Sequence, residues 1–313
     1  MPAEARVVAA APSGRGRPDP ALPSTSKARP GRAGAETWSA FWREFGREGA
    51  PQERCFVPGD GRDAVDRHWA RFAERLPQRA RIIDLGCGAG VVGRKLLGRR
   101  GDLEVVGVDW AQVPAPGLPN LELHPRVAME ELPFADASFD GAASLFGIEY
   151  GDIVETAREL ARVMKPGARF SFLIHHRDSE IVREGGARRR ALKALTTGTM
   201  RSAFLSGSMA SLDSQQQALK AGFAGEPMVG LVADHFRRNI ARARAERQAI
   251  ARKLADELES EIALLGALER SAKSAEEIAA WLVPLLSAMA LTSASVMRRG
   301  SGEPIAWNVG GCR

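Results

Sequence analysis

The stretch IIDLGCGAG, residues 82–90, constrains this 313-residue chain more than any other. Ile82 and Ile83 close a short apolar run that reads as a buried strand, Asp84 stands at its end, and VVGRKLL resumes as a helix. Between them Gly86, Gly88 and Gly90 leave a loop almost without side chains. Alternating glycines permit tight, partly left-handed turns and let the backbone approach a bound molecule where a Cβ would stand in the way. A second strand, LEVVGVD (103–109), ends on another carboxylate. In a right-handed strand–helix–strand unit the two strands are neighbours, so Asp84 and Asp109 are expected to flank one crevice at the carboxyl edge of a parallel sheet.

Two kinds of ligand compete for such a crevice. Gly88, Gly90 and Gly93 spell G-x-G-x-x-G, the pattern of a dinucleotide site. Asp84 argues against it, because a carboxylate beside the loop repels a pyrophosphate and favours a ligand carrying an ammonium and a sulfonium. At this point the residues resemble the class I S-adenosylmethionine-dependent methyltransferases, in particular the branch of ubiquinone and menaquinone C-methyltransferases. The resemblance spans residues 80–176 and rests on DLGCGAG, VVGVDW, ELPFADASFD and ARVMKPGARFSFLI, in that order.

The resemblance implies an α/β fold: a Rossmann-like doubly wound sheet, mostly parallel with an antiparallel last strand. It also implies S-adenosylmethionine as cofactor. Asp84, Gly86, Cys87, Gly88 and Gly90 would surround its amino acid portion, Asp109 would hold the ribose, and Trp110, Met129, Glu130 and Phe146 would complete the site. Trp110 suits a place against the adenine face, with an ordinary core aromatic as the rival reading. The chain departs from the family at Ala128, where an acid or Asn usually reaches the adenine, and this leaves the amino group to the Met129 backbone or Glu130.

The strand beginning near Phe139 should end around Phe146-Gly147, so Glu149 and Tyr150, the only tyrosine, face the crevice. The fifth strand, RFSFLIHH, brings His175 and His176 to the same edge. Side chains alternate along a strand, so at most one of the pair points inward. His175, His176, Tyr150 and Glu149 are therefore the candidates for handling the acceptor, an imidazole being able to take its proton. Structural roles compete for both histidines and for Tyr150. Metal binding is disfavoured because no other His or Cys lies at ligand spacing.

Outside the core the organisation reads in four parts: a tail (1–35), N-terminal helices and cofactor core (36–176), a helical cap insertion (177–290) and closing strands (291–313). Four of the six net positive charges lie in residues 1–34, a stretch poor in apolar residues and expected to be disordered. In ETWSAFWREFGREG, Trp38, Phe41, Trp42 and Phe45 form one helical stripe, which either packs on the core or serves in a lid over the site. A second helix carries Val65, Trp69, Phe72 and Leu76, and DIVETARELARVMKPG is expected to stay helical until Pro166-Gly167. In the insertion, residues 233–271 read as one long helix with Phe236, Ile240, Ile250, Leu254, Leu258, Ile262 and Leu265 on one stripe. That face needs neighbouring helices or a second copy in a homodimer. Arg188, Arg189 and Arg190 read as solvated charges, with phosphate or RNA as the rival partner.

Cys55, Cys87 and Cys312 form no disulfide framework, and no apolar run reaches the ~20 residues of a membrane span, so a soluble cytoplasmic protein without a membrane partner is expected. The expected function is methylation of a small molecule, at O or N, in secondary or cofactor metabolism. An RNA or tRNA methyltransferase is the alternative, although an N-P-P-Y signature and a Pro-Cys nucleophile are both missing. A non-catalytic methyltransferase-fold scaffold is the other, and the intact Asp84 and glycines argue against it.

Overall fold

The computed structural model describes residues 32–45, 60–115 and 117–313. The expected basic tail lies outside them up to residue 31, as do residues 57–59 of the link before the second helix and the side chain of Phe45. Two helices, α1 (Arg32–Phe45) and α2 (Asp60–Glu74), precede the first strand. Then follow β1 (Arg81–Leu85), α3 (Val91–Arg99), β2 (Glu104–Asp109), β3 (Leu121–Pro125), β4 (Phe139–Leu145), a one-turn 3-10 helix at Ile148–Tyr150, α4 (Ile153–Val163) and β5 (Met164–His175).

After β5 come α5 (Glu180–Thr197), α6 (Thr199–Ser206), α7 (Met209–Gly222), α8 (Pro227–Asn239), α9 (Arg244–Ser271) and α10 (Ala275–Ala288). The chain closes with β6 (Ala290–Arg298) and β7 (Pro304–Cys312). The strands form one sheet in the order β3-β2-β1-β4-β5-β7-β6. Neighbours from β3 to β5 are parallel, and β7 runs antiparallel to both β5 and β6. This is a Rossmann-like doubly wound sheet.

Burial on both faces explains why β1, β2 and β4 read as nearly continuous apolar runs. One face packs Val65, Trp69 and Phe72 of α2 and Leu96 of α3 on Ile82, Val105 and Leu173. The other packs Leu160 of α4 and Ile278, Leu282 and Leu285 of α10 on Ile83, Val106, Phe172 and Val309. Asp152 caps α4 by accepting from the main-chain N–H groups of Val154 and Glu155.

The first helix already starts at Arg32, inside the stretch 1–35 expected as tail, with Ala35 buried, and the structure differs from the sequence reading in three further places. The fourth helix stops at Val163, and β5 already begins at Met164, fully buried and in register with Phe139. Pro166 is tolerated there because the first residues of a strand need not donate to the ladder. The long helix expected over 233–271 is two, broken after Asn239, whose side chain bonds the His235 carbonyl and accepts from Arg242 Nε. The segment expected as an insertion over 177–290 is shorter: Glu180–Ser271 forms its own compact unit, whereas α10 belongs to the sheet.

Within the helical unit the apolar stripe has partners. Phe236, Ile240 and Leu258 share a buried cluster with Leu192, Leu195, Phe204 and Leu212, and Ile250, Leu254, Ile262 and Leu265 pack against it. Arg188 pairs with Glu261 and Arg189 with Glu269, so two of the three consecutive arginines are neutralised within the unit. No helix among the described residues is long and apolar enough to cross a membrane.

Candidate active site

The site lies where the strand order reverses, between β1 and β4, at the carboxyl ends of the strands. Gly86, Gly88 and Gly90 all have positive φ, at 64°, 51° and 80°. The requirement at Gly86 is also steric, because a Cβ there would stand 2.8 Å from the Gly147 Cα. A Cβ on Gly147 would in turn stand 2.6 Å from the Leu85 carbonyl oxygen. The turns after β1 and β4 thus meet backbone to backbone.

Asp84 at the end of β1 is 1 % exposed, and both its carboxylate oxygens lack a hydrogen-bond partner among the described residues. Burial, and then the charge of Asp109, push its carboxyl well above the ordinary range. Asp109 accepts from the Gly88 N–H through Oδ2 and from the Ala111 N–H through Oδ1, each at 2.8 Å. Burial raises its carboxyl too, against the opposing pull of those two bonds. Cys87 faces Gly107 of β2, whose Cβ would fall 2.7 Å from the sulfur, and burial pushes its thiol well up. It fills space behind the loop.

Trp110 is half-buried, and its indole Nε1 is buried without a partner among the described residues. Met129 and Glu130 pack against the turn at Gly151, where a Cβ would meet the Met129 sulfur at 2.7 Å. Glu130 Oε1 already accepts from the Asp152 N–H at 2.8 Å. That bond holds the start of α4, so its ligand-binding capacity is the remaining oxygen.

The polar residues after β4 and β5 separate into two groups. Glu149 Oε1 accepts from the His175 main-chain N–H at 3.0 Å and lies 2.7 Å from His175 Nδ1, while Oε2 is buried without a partner among the described residues. Phe146, at φ 57°, stacks on the His175 ring with centroids 4.1 Å apart, and Tyr150 meets that ring edge-on at 6.3 Å. His176 turns the opposite way, stacked on Trp307 at 4.7 Å, with Nδ1 accepting from the Asp178 N–H. Burial lowers its pKa, Asp178 raises it, and Arg298 lowers it. The strand's alternation therefore brings His175, Glu149, Phe146 and Tyr150 together and leaves His176 out.

Helix α1 lies over the same edge. Any side chain at position 88 would collide with the Trp42 indole, and Trp38 meets Tyr150 edge-on at 5.4 Å. Ser39 Oγ accepts from the Gln112 N–H at 2.8 Å, and Glu36 pairs with Arg126 at 2.9 Å. The aromatic stripe thus packs against the glycine loop through Trp42 and against Tyr150 through Trp38. Sequence reasoning passed over Gly147 and Ser144, whose hydroxyl donates to the Leu85 carbonyl and accepts from the Ile148 N–H. The glycine directly after an apolar strand was the available signal for the first.

Residues 83–172 match the family model described as a methyltransferase domain. This segment is a class I S-adenosylmethionine-dependent methyltransferase domain. The chain is similar to a ubiquinone/menaquinone biosynthesis C-methyltransferase of Geotalea daltonii, 32% identical over 126 residues, 35% of this chain and 52% of that protein. Demethylmenaquinone methyltransferase of Corynebacterium kroppenstedtii is 39% identical over 116 residues, 34% of this chain and 48% of its own length. Malonyl-[acyl-carrier protein] O-methyltransferase of Dechloromonas aromatica is 34% identical over 122 residues, 37% and 45% of the two chains. The chain spans about half the length of these relatives.

The methyltransferase domain's residues fit its cofactor. A buried carboxylate with two unsatisfied oxygens suits an ammonium, and Gly86 and Gly88 beside it have no room for a Cβ. Asp109 keeps lone pairs for ribose hydroxyls after its two main-chain bonds.

Proposed function

We propose that this chain transfers a methyl group from S-adenosylmethionine to a small molecule whose acceptor atom, O or N, carries a proton. The observation that supports it most is Asp84, buried beside the glycine loop with both oxygens unpaired. Asp84 and the loop at Gly86, Cys87, Gly88 and Gly90 hold the amino acid portion, Asp109 the ribose, and Trp110, Met129, Glu130 and Phe146 bound the remainder. When bound, the sulfonium supplies an activated methyl group and a neutral leaving group, so alignment contributes much of the rate.

In this proposal Glu149 fixes the His175 tautomer by accepting from Nδ1–H, which leaves Nε2 as the basic nitrogen. Nε2 takes the acceptor's proton as the new bond to carbon forms, and Glu149 steadies the resulting imidazolium. Tyr150 orients the acceptor from the edge of the ring, while His176, on the Trp307 side, takes no part. Self-association through the helical unit is kept as part of the proposal, on the exposed apolar side chains Leu231 and Met209. RNA methylation is disfavoured by the ion pairs of Arg188 and Arg189.

The test is calorimetry with S-adenosylmethionine and S-adenosylhomocysteine, followed by S-adenosylhomocysteine release against a panel of phenols, carboxylic acids and amines. Heat with both ligands and turnover with at least one acceptor is the expected result. No heat on well-folded protein, or unchanged binding in Asp84→Asn, overturns it.

A further inference from the structure

The sheet carries a second recess away from the carboxyl edge. Strand pairing places Arg169 opposite Cys312, Ser171 opposite Gly310 and Leu173 opposite Asn308, and Gly310 is also opposite Ser293. Paired residues share a face. The alternate set, Phe170, Phe172, Ile174, Trp307 and Val309, is the apolar wall of the core. One face of β5 and β7 is thus greasy, and the other carries Arg169, Ser171 and Asn308 beneath α2. On this polar floor a cavity of about 170 Å³ opens, lined among others by Arg169, Ser171 and Asn308 of the sheet and by His68, Arg71 and Arg75 of α2.

Three arginines line it, and among the described residues none of the three has an acidic partner. The acid nearest in sequence is committed elsewhere: Glu74, which lies between Arg71 and Arg75, pairs with Arg99, while Arg100 and Arg162 hold Asp102 and Glu159. His68 Nε2 lies 2.8 Å from Ser171 Oγ at the floor. Burial, and then the charges of Arg71 and Arg75, bring that imidazole down to about 4. Ser171 lies four residues before His175, roughly 13 Å along an extended strand, so this recess is separate from the methyl-transfer site.

We infer that the recess under α2, walled by Arg71, Arg75 and Arg169 and floored by Ser171 and Asn308, binds the dianionic phosphate group of a small phosphomonoester. Guanidinium groups give a phosphate paired, charge-assisted bonds, and the hydroxyl and amide supply neutral donors for the remaining oxygens. A nucleic acid would need basic residues strung along an extended track, whereas these line one small cavity.

The test uses the full chain and inorganic phosphate, then phenyl phosphate, titrated at constant ionic strength against chloride. Saturable binding is expected, weakened tenfold or more in the double variant Arg71→Gln/Arg169→Gln and unchanged in Arg158→Gln, a surface residue outside the recess. S-adenosylhomocysteine binding should be equal in all three proteins, which certifies their folding and keeps this outcome separate from that of the methyl-transfer reading. In the unmutated protein, phosphate should also slow phenylglyoxal modification of Arg71 and Arg169, read by mass spectrometry. Absence of saturable binding and of protection, equal affinity in the double variant, or arginine-dependent binding of an RNA oligonucleotide without binding of either phosphate would each refute the inference.

Discussion

Glu149 grips His175 at two points, Oε1 receiving the main-chain N–H at 3.0 Å and facing ring Nδ1 at 2.7 Å, so one oxygen sets both the end of β5 and the imidazole's orientation. Under the proposed function, His175→Gln lowers kcat by about 10²- to 10⁴-fold, the usual range for a lost proton acceptor, and leaves S-adenosylhomocysteine affinity unchanged. Glu149→Gln gives a smaller loss, because the ring keeps its nitrogens but loses the carboxylate that orients it. Steady-state kinetics with titration of the donor analogue decides both.

Asp84 opposes stability in the ligand-free protein. Its folded pKa lies above the unfolded 3.8, so the stability linked to its proton is present below that value and is lost as pH rises towards the folded pKa. Asp84→Asn therefore raises the melting temperature of the free protein at pH 8 and weakens S-adenosylhomocysteine binding by roughly tenfold or more, ~1.4 kcal/mol. Thermal shift with and without the ligand reads both effects. A variant less stable than the parent that still binds fully contradicts the assignment.

Gly86→Ala and Gly147→Ala attack one contact from its two sides. The first adds a left-handed backbone penalty to the clash and the second adds only the clash, since Gly147 has a φ of −126°. Each should cost about 1–3 kcal/mol, Gly86→Ala the more. Urea unfolding gives the order, and its reversal would show that the β1 and β4 turns do not constrain each other.

Acid should weaken the fold through His68. Its folded pKa of about 4 lies below the ordinary 6.5, so the unfolded chain binds the proton more tightly. Its contribution is intact above pH 6.5 and is lost as pH falls towards 4, at most ~3 kcal/mol at about 1.4 kcal/mol per unit. His68→Gln flattens this part of the pH dependence in urea titrations at pH 4.5 and 7.5. An unchanged slope would mean that the imidazole is solvated.

Much of the sheet was legible because its strands are buried on both faces and separated by turn residues, and because a glycine loop between two acids has few structural uses. The break after Asn239 was not, since Phe236 and Ile240 continue the stripe of Ile250 and Leu254 into one buried cluster and periodicity registers only the shared face. Met164 fits an inward position on a helix as well as on a strand, and only its pairing with Phe139 decides between them. For the site, alternation limited the inward histidine to one but could not say which. That choice rests on Glu149 and Trp307, one after β4 and the other on β7. The recess at His68 escaped notice because its parts lie about a hundred residues apart on a helix and a strand that each look ordinary.

The chain leaves the sheet after β5 and returns at Ala272, and the two crossing points are stitched together. Lys273 donates its main-chain N–H to the His175 carbonyl and accepts at its own carbonyl from the Arg177 N–H and from Trp307 Nε1. Adjacent ends at a hydrogen-bonded seam are the geometry in which whole segments are exchanged without unravelling the host. The ninety-two residues from Glu180 to Ser271 are thus grafted on at a single doorway. A short hairpin spliced across it would leave the host sheet closed.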